Sequence, residues 1–278
     1  MTIMGINAGV IRQDNAFIAL ALKIKAPRNK ASLFFLPALA LKDLLMALEY
    51  RLSQISAEDR ERYEKARDKA IQKMHQNIPP IQREELEQAD VNQRVNAVSL
   101  LQHDANAMTF SLSLQSGKTM ELTVDLMQIE LLITVMIHAM NNGGMGELTT
   151  RISSVLDFLP LYDVDYRDGG NLEYDTYDQP SWKRNLFVHH LAVLYRYDDA
   201  EGQKQYCATV IKTRSKPGSK QLEAITRRLL DFSPRLNKLA NTPCQVFVRT
   251  LSSDKHKTFS ADACMQQLYQ LQQNAAKA

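Results

Sequence analysis

Short runs rich in apolar residues, each bounded by turn residues, open the chain and are typical of strands. They lie at residues 10–11, 17–25 and 32–36. From Pro37 the apolar residues recur at the three- and four-residue spacing of a helix. The leucines that carry this spacing are Leu41, Leu44, Leu45, Leu48 and Leu52. The N-terminal segment therefore predicts three strands followed by a helix.

A second helix is predicted from a capping box at Ser56 and Asp59 to about Gln76. It is strongly charged and has only a narrow apolar stripe, which is typical of a helix on the surface or against a partner.

The strand and helix order then recurs. Residues 95–101, 108–114 and 119–124 predict a three-stranded meander, and a helix follows from Asp125 to Met140. A shift of 87 positions places Leu33 on Met120 and Leu44 on Leu131, so the apolar pattern matches although the identities do not. Because any two strand-helix units share part of such a pattern, a duplicated βββα unit at residues 1–92 and 93–142 is a hypothesis.

The last part of the chain predicts a separate domain. Glycine-rich residues 141–146 are typical of a helix end and a linker, so we place an N-terminal α+β domain at residues 1–142 and a C-terminal one at 147–278. Strands at 186–197 and 205–213 are followed by two helices, a buried strand at 244–250 and a closing helix, an order that favours antiparallel sheets with packed helices. Residues 160–185 lack periodicity and predict a long irregular loop. The fold class is α+β.

Composition changes this picture little. The chain has 45% hydrophobic and 23% charged residues, and a net charge of +3 is too small to indicate nucleic-acid binding by itself. Three separated cysteines indicate reduced thiols in a cytoplasmic protein. The most apolar stretch, residues 131–140, is about half of the roughly 20 residues that a membrane span needs. With no targeting segment, we expect a cytoplasmic protein without a membrane partner.

Several segments resemble the enterobacterial YjeJ family. They are residues 7–12, 17–25, 156–163, 171–177, 191–196 and 224–228, which read NAGVIR, FIALALKIK, LDFLPLYD, NLEYDTY, LAVLYR and AITRR. The resemblance covers nearly the whole chain. It implies a bacterial protein, and it implies no activity, cofactor or binding residue.

The predicted loop at 160–185 combines acidic and aromatic residues, and it is the first candidate for a partner-binding site. Tyrosine and tryptophan often anchor interfaces, and the acids would suit a basic partner. The candidate residues are Tyr162, Tyr166, Tyr174, Tyr177 and Trp182. The alternative is that these rings plug the join between two domains, since burial is the commoner use of aromatic residues.

A basic cluster in the third region is the candidate for nucleic-acid binding. It comprises Arg214, Lys216, Lys220, Arg227 and Arg228, with Arg235 and Lys238 nearby. No aromatic residues are interleaved for base stacking, so a solvated face with arginines paired to nearby acids is the alternative.

Catalytic and metal-binding motifs are not evident. If the protein is an enzyme, the first candidates are Asp163, Asp165, Glu173 and His189. Residues 163–173 are similar to a calcium loop, but the register of its ligands fails. His189 and His190 point to opposite faces of a strand, and the other histidines are scattered, so we predict no metal site and no cofactor. Glu130, Thr134 and His138 form a polar stripe on the helix after Asp125.

We therefore expect a non-enzymatic protein-interaction or regulatory protein with a protein partner. Nucleic-acid binding and an enzyme whose site forms only in three dimensions are the alternatives. A homo-oligomer is left open.

Overall fold

The computed structural model describes residues 1–55, 59–166 and 171–277. The chain forms two compact units, residues 1–156 and 157–278, so the second begins about ten residues after the predicted boundary. The helices are α1 (Ala38–Ser53), α2 (Arg60–His75), α3 (Arg83–Glu87), α4 (Ile129–Asn142), α5 (Gly146–Ser153), α6 (Ser181–Arg184), α7 (Lys220–Phe232) and α8 (Ala261–Lys277).

Eleven strands are present among the described residues, and the pairs within each sheet are antiparallel. They are β1 (Gly5–Gln13), β2 (Ala16–Lys25), β3 (Ala31–Leu36), β4 (Val95–His103), β5 (Ala107–Leu114), β6 (Thr119–Asp125), β7 (Phe158–Tyr166), β8 (Leu172–Thr176), β9 (His189–Asp198), β10 (Lys204–Thr213) and β11 (Gln245–Ser252). The predicted α+β class is confirmed. None of the helices in the described ranges is long and apolar enough to cross a bilayer.

Unit 1 contains two three-stranded meanders, β1-β2-β3 and β4-β5-β6. A helix follows each, α1 after the first and α4 after the second. Helix α4 packs on β1 and β2, whereas α1 contacts strands of both sheets. Shifted by 87 positions, β3 falls on residues 118–123 and α1 on residues 125–140, which are the places of β6 and most of α4. The repeated order is present, and its origin in a duplication stays a prediction.

Helix α2 matches the predicted charged helix, and it buries only Tyr63 and Met74. Its predicted start at Ser56 lies outside the described residues. After α2 the chain crosses β1 at close range. A Cβ atom on Gly5 would lie 1.9 Å from the carbonyl oxygen of Asn77, so only glycine fits there. The side-chain amide of Asn7 donates to the carbonyl of Pro79 at 3.0 Å.

Unit 2 is a five-stranded sheet in the order β11-β9-β10-β7-β8, covered by helices on both faces. Leu194 of β9 packs against Leu268 of α8. The next residue, Tyr195, points to the other face, where its hydroxyl donates to the carbonyl of Thr226 in α7 at 2.6 Å. The central strands must therefore bury side chains on both faces.

The prediction of an irregular loop at residues 160–185 is wrong for most of that range. Residues 158–166 and 172–176 pair as β7 and β8, and α6 follows. Strand β7 buries residues on both faces, including Asp163 and Asp165, so it shows no alternation of polar and apolar residues that sequence could detect. Part of the segment similar to a calcium loop, residues 167–170, lies outside the described residues.

Buried Asp165 joins β7 to the segment after α7. It accepts from Lys238 at 2.6 Å, Arg235 at 2.9 Å and the Cys207 thiol at 3.1 Å. Arg235 also donates to Asp175 of β8 at 2.6 Å. Burial by itself would raise the pKa of Asp165, but these hydrogen bonds outweigh it and hold that pKa below its usual value. The hydrogen bond from Arg235 likewise lowers the pKa of Asp175.

Replacing Gly5 by alanine tests the close approach of Asn77. We expect Gly5→Ala to lower the free energy of unfolding by about 1–3 kcal/mol, because backbone atoms must move to admit the methyl group. Gly9→Ala in the same strand is the control, since its nearest neighbour, Leu86 Cδ1, lies at an ordinary 3.6 Å. Urea unfolding measures both variants. An equal effect of the two would contradict the steric explanation.

Acid unfolding tests the Asp165 cluster. A carboxylate with a lowered folded-state pKa contributes stability above its unfolded pKa of about 3.9 and loses it as pH falls through the folded value. We expect Asp165→Asn to lower the free energy of unfolding at pH 7 by about 1–3 kcal/mol. The variant should also show a shallower loss of stability below about pH 4. Asp198→Asn, at an exposed position of unit 2, is the control. A wild-type acid profile in Asp165→Asn would contradict the assignment.

Candidate functional site

The five aromatic residues predicted to bind a partner do not form one free surface. The hydroxyl of Tyr166 donates to the carbonyl of Leu268 at 2.8 Å, and the hydroxyl of Tyr177 donates to Asp163 at 2.6 Å. Burial and the Asp163 hydrogen bond raise the pKa of Tyr177. Tyr162 packs edge-on against Tyr174, with ring centroids 6.1 Å apart.

Two of these five residues are less enclosed. Tyr174 is 42% exposed, and Trp182 lies half-buried on α6 beside the ammonium of Lys183. The aromatic residues of this segment therefore serve largely as packing within unit 2.

The predicted basic cluster is partly neutralised inside the unit. Arg228 forms a two-pronged ion pair with Asp157 at 2.6 and 3.0 Å. Arg214 lies over the ring of Phe187 at 5.3 Å. Lys216, Lys220 and Arg227 are exposed. The cationic surface is thus smaller than the sequence predicts.

The four catalytic candidates do not converge. Asp165 and Glu173 are register partners beside Arg235, and Asp163 accepts from Tyr177. Through Cys207 of β10, Asp165 is in register with Tyr195 of β9. His189 lies six residues from Tyr195 along the same strand, a separation of about 20 Å. It bonds instead to the Ser253 hydroxyl at 3.0 Å. Among the described residues, no three His, Cys, Asp or Glu side chains are placed to hold a metal ion.

A groove of about 840 Å³ in unit 1 is a better candidate for binding. Strand β1 and helix α4 form its walls, and His75 at the end of α2 contributes. The groove touches the consecutive residues Asn7, Ala8, Gly9 and Val10. Because successive strand residues point to opposite faces, a groove that meets all four must follow the edge of the strand. Strand β1 is an edge strand of its sheet.

The backbone of β1 is directed into this groove. The amide of Ala8 donates to the side-chain oxygen of Asn7 at 2.9 Å. In an antiparallel pair, alternate residues direct their amide and carbonyl groups to the same side. Ala8 and Val10 therefore present their backbone groups outward, away from β2. No other described strand pairs with this edge, so it can act as a template for another strand once the side chain of Asn7 releases the amide of Ala8.

The opposite wall of the groove is fixed by a close contact. A Cβ atom on Gly143, just after α4, would lie 2.7 Å from Cβ of Val10. The guanidinium of Arg12 donates to the carbonyl of Gly143 at 3.4 Å. Glycine at this position lets the end of α4 approach β1.

The predicted polar stripe on α4 divides between two roles. Glu130 pairs with Arg67 of α2 at 2.9 Å, whereas Thr134 and His138 line the groove. With Arg12 and His75, these residues add polar and weakly basic groups to a groove that is otherwise lined by small and apolar residues, and none of its described lining residues is acidic. Sequence periodicity found Thr134 and His138, but it gave no sign of the strand edge opposite them.

Comparisons with known proteins agree on the family. A family model described as YjeJ-like matches residues 1–278. The chain is also 54% identical over 274 residues to a protein of Escherichia coli (strain K12) that carries the name Uncharacterized protein YjeJ. That alignment covers 98% of this chain and 95% of the relative. No solved structure matches the chain. The resemblance found in the sequence is confirmed, and the chain belongs to the YjeJ-like family.

Proposed function

We propose that the protein is a non-enzymatic interaction protein that binds an extended segment of a partner along β1. The observation that supports this proposal is the groove at the edge of that strand, which four consecutive residues border. An extended peptide can add to such an edge by main-chain hydrogen bonds, and the adjacent wall then selects its side chains.

The partner segment should carry acidic residues. Arg12 and the imidazoles of His75 and His138 line the groove, and no aspartate or glutamate in the described part of the chain does. An acidic side chain next to Arg12 gains a charge-assisted hydrogen bond, whereas a basic one meets like charge. The predicted alternative of nucleic-acid binding has less support, because Arg214 and Arg228 are engaged within unit 2.

Selection from a library of displayed random peptides tests this function. We expect the selected peptides to be enriched in aspartate and glutamate and to bind the full chain in an extended conformation. Their binding should shift the backbone amide NMR signals of Ala8 and Val10 and those of Thr134 and His138. Shifts confined to other strands, or peptides without acidic residues, would contradict the proposal.

A charge reversal in the groove sharpens the test. We expect Arg12→Glu to weaken the selected peptides at least tenfold, about 1.4 kcal/mol, as measured by fluorescence polarisation. Lys118→Glu makes the same charge change at an exposed turn of unit 1 and should alter affinity less than about twofold. Thr134→Trp, which places a bulky ring in the wall of the groove, should also weaken binding. Equal losses in Arg12→Glu and Lys118→Glu would indicate attraction by net charge alone.

A further inference from the structure

Two ionisable side chains are buried side by side in unit 2. His190 and Lys212 are directly opposite each other on β9 and β10. They are only 3% and 2% exposed. Two residues further along each strand, the same face carries Ala192 and Val210, which belong to the apolar core under α8. A histidine and a lysine therefore take places where this face otherwise packs apolar side chains.

Among the described residues, His190 lacks a hydrogen-bond partner, and Lys212 lacks the carboxylate that usually pairs with a buried ammonium. Both ring nitrogens of His190 lack a hydrogen-bond partner among the described residues, and the ring packs edge-on against Phe259 with centroids 4.8 Å apart. The ammonium of Lys212 donates to the carbonyl of Lys255 at 2.8 Å. No carboxylate in the described ranges lies within ion-pair distance of it, although the charge of Asp254 is near enough to act on it. A buried polar group without a partner costs free energy, so it needs an explanation.

The electrostatic surroundings of the two groups are cationic. Burial and then the charge of Arg184 lower the pKa of Lys212. Burial, with Lys212 beside it, lowers the pKa of His190 to about 4. At neutral pH His190 is thus an uncharged imidazole, and one of its nitrogens carries a proton that it can donate.

Both residues open onto a pocket of about 100 Å³. Arg184 of α6 and Lys257, just before α8, also line it, and Asp178 is its acidic lining residue. Among the described lining residues, the cations Arg184, Lys212 and Lys257 outnumber the carboxylate, so the pocket is positive. Since a water needs about 10–15 Å³ of such space, the pocket has room for a few waters or one small anion, but not for a peptide. Tyr162 and Tyr177, two of the aromatic residues singled out in the sequence, form part of its wall.

We propose that this pocket binds a small oxyanion, with Lys212 and Arg184 supplying charge and His190 donating a hydrogen bond. Inorganic phosphate and the phosphoryl group of a small metabolite share the required chemistry, because each offers several acceptor oxygens to convergent donors. The anion would pair with Lys212 and would give His190 the partner that the described residues do not supply. This site lies in unit 2 and is independent of the peptide groove of unit 1.

Titration calorimetry of the full chain with inorganic phosphate tests the site, with acetate and chloride at equal ionic strength as comparisons. We expect saturable binding of phosphate and no heat with chloride. Stronger binding of phosphate than of acetate assigns the site to phosphoryl groups, and the reverse order assigns it to carboxylates; both outcomes support an oxyanion pocket. Equal responses to all three anions would overturn it as general charge screening.

Two variants locate the binding. Lys212→Met keeps the length of the side chain and removes a buried charge that lacks a carboxylate partner, so the fold should be kept or stabilised. Arg184→Gln changes the half-buried lining residue. We expect each to lower the affinity for phosphate at least tenfold. Lys204→Met, at the exposed start of β10, should change it less than about twofold.

The imidazole of His190 provides a direct readout. Binding of phosphate should shift its ring ¹⁵N signals, and this shift should be absent from Lys212→Met while the amide spectrum of the folded variant is otherwise kept. Phosphate affinity retained in both Lys212→Met and Arg184→Gln, or unchanged His190 signals at saturation, would overturn the proposal.

Discussion

Burial of the five-stranded sheet on both faces is the constraint on which most features of unit 2 depend. Helices α7 and α8 cover the two faces, so the central strands have no solvent side to which a polar group can turn. Every polar side chain on these strands must find a partner inside the protein, or else accept a large desolvation cost. The side chains of β7, β9 and β10 show how that requirement is met.

Most of the buried polar groups meet it through tertiary contacts. Asp165 is neutralised by Lys238 and Arg235, which also attach the segment after α7 to the sheet edge. Thr209 and Thr213 donate to backbone carbonyls at 2.9 and 2.8 Å. His190 and Lys212 are the exception among these groups. Among the described residues, Lys212 has one carbonyl oxygen as its partner and no carboxylate within ion-pair distance, and the ring nitrogens of His190 have no hydrogen-bond partner. The same rule that explains the ionic cluster thus identifies the pocket.

The constraint in unit 1 is different. Strand β1 forms an edge of the meander β1-β2-β3, and no further described strand pairs with that edge. Such edges attract other strands, and proteins often cover or charge them. Here the segment around Asn77 and Pro79 packs across β1, and Arg12 places a charge near its end. The middle of β1 remains open beside α4. The groove and the cationic pocket therefore differ in chemistry, since backbone groups border the first and buried side chains border the second.

Local periodicity was sufficient to predict the helices and strands that bury only one face. The leucine spacing after Pro37 predicted α1, and the runs at 108–114 and 119–124 predicted β5 and β6 within a few residues. The same reasoning failed for β7, because burial on both faces and the internal Asp163 and Asp165 removed the alternation. Strand 244–250 was predicted to be buried, but β11 is an edge strand whose Val246 and Val248 are 41% and 39% exposed.

The sequence by itself determined the α+β class, the main helices and the opposite orientation of His189 and His190, because these follow from spacing along the chain. Only the tertiary structure decided that Lys212 faces His190, that Arg235 reaches Asp165, and that the edge of β1 borders α4. These contacts join residues far apart in sequence. Strand register and helix docking fix them, and no local pattern of residues encodes which distant side chain will fill the neighbouring position.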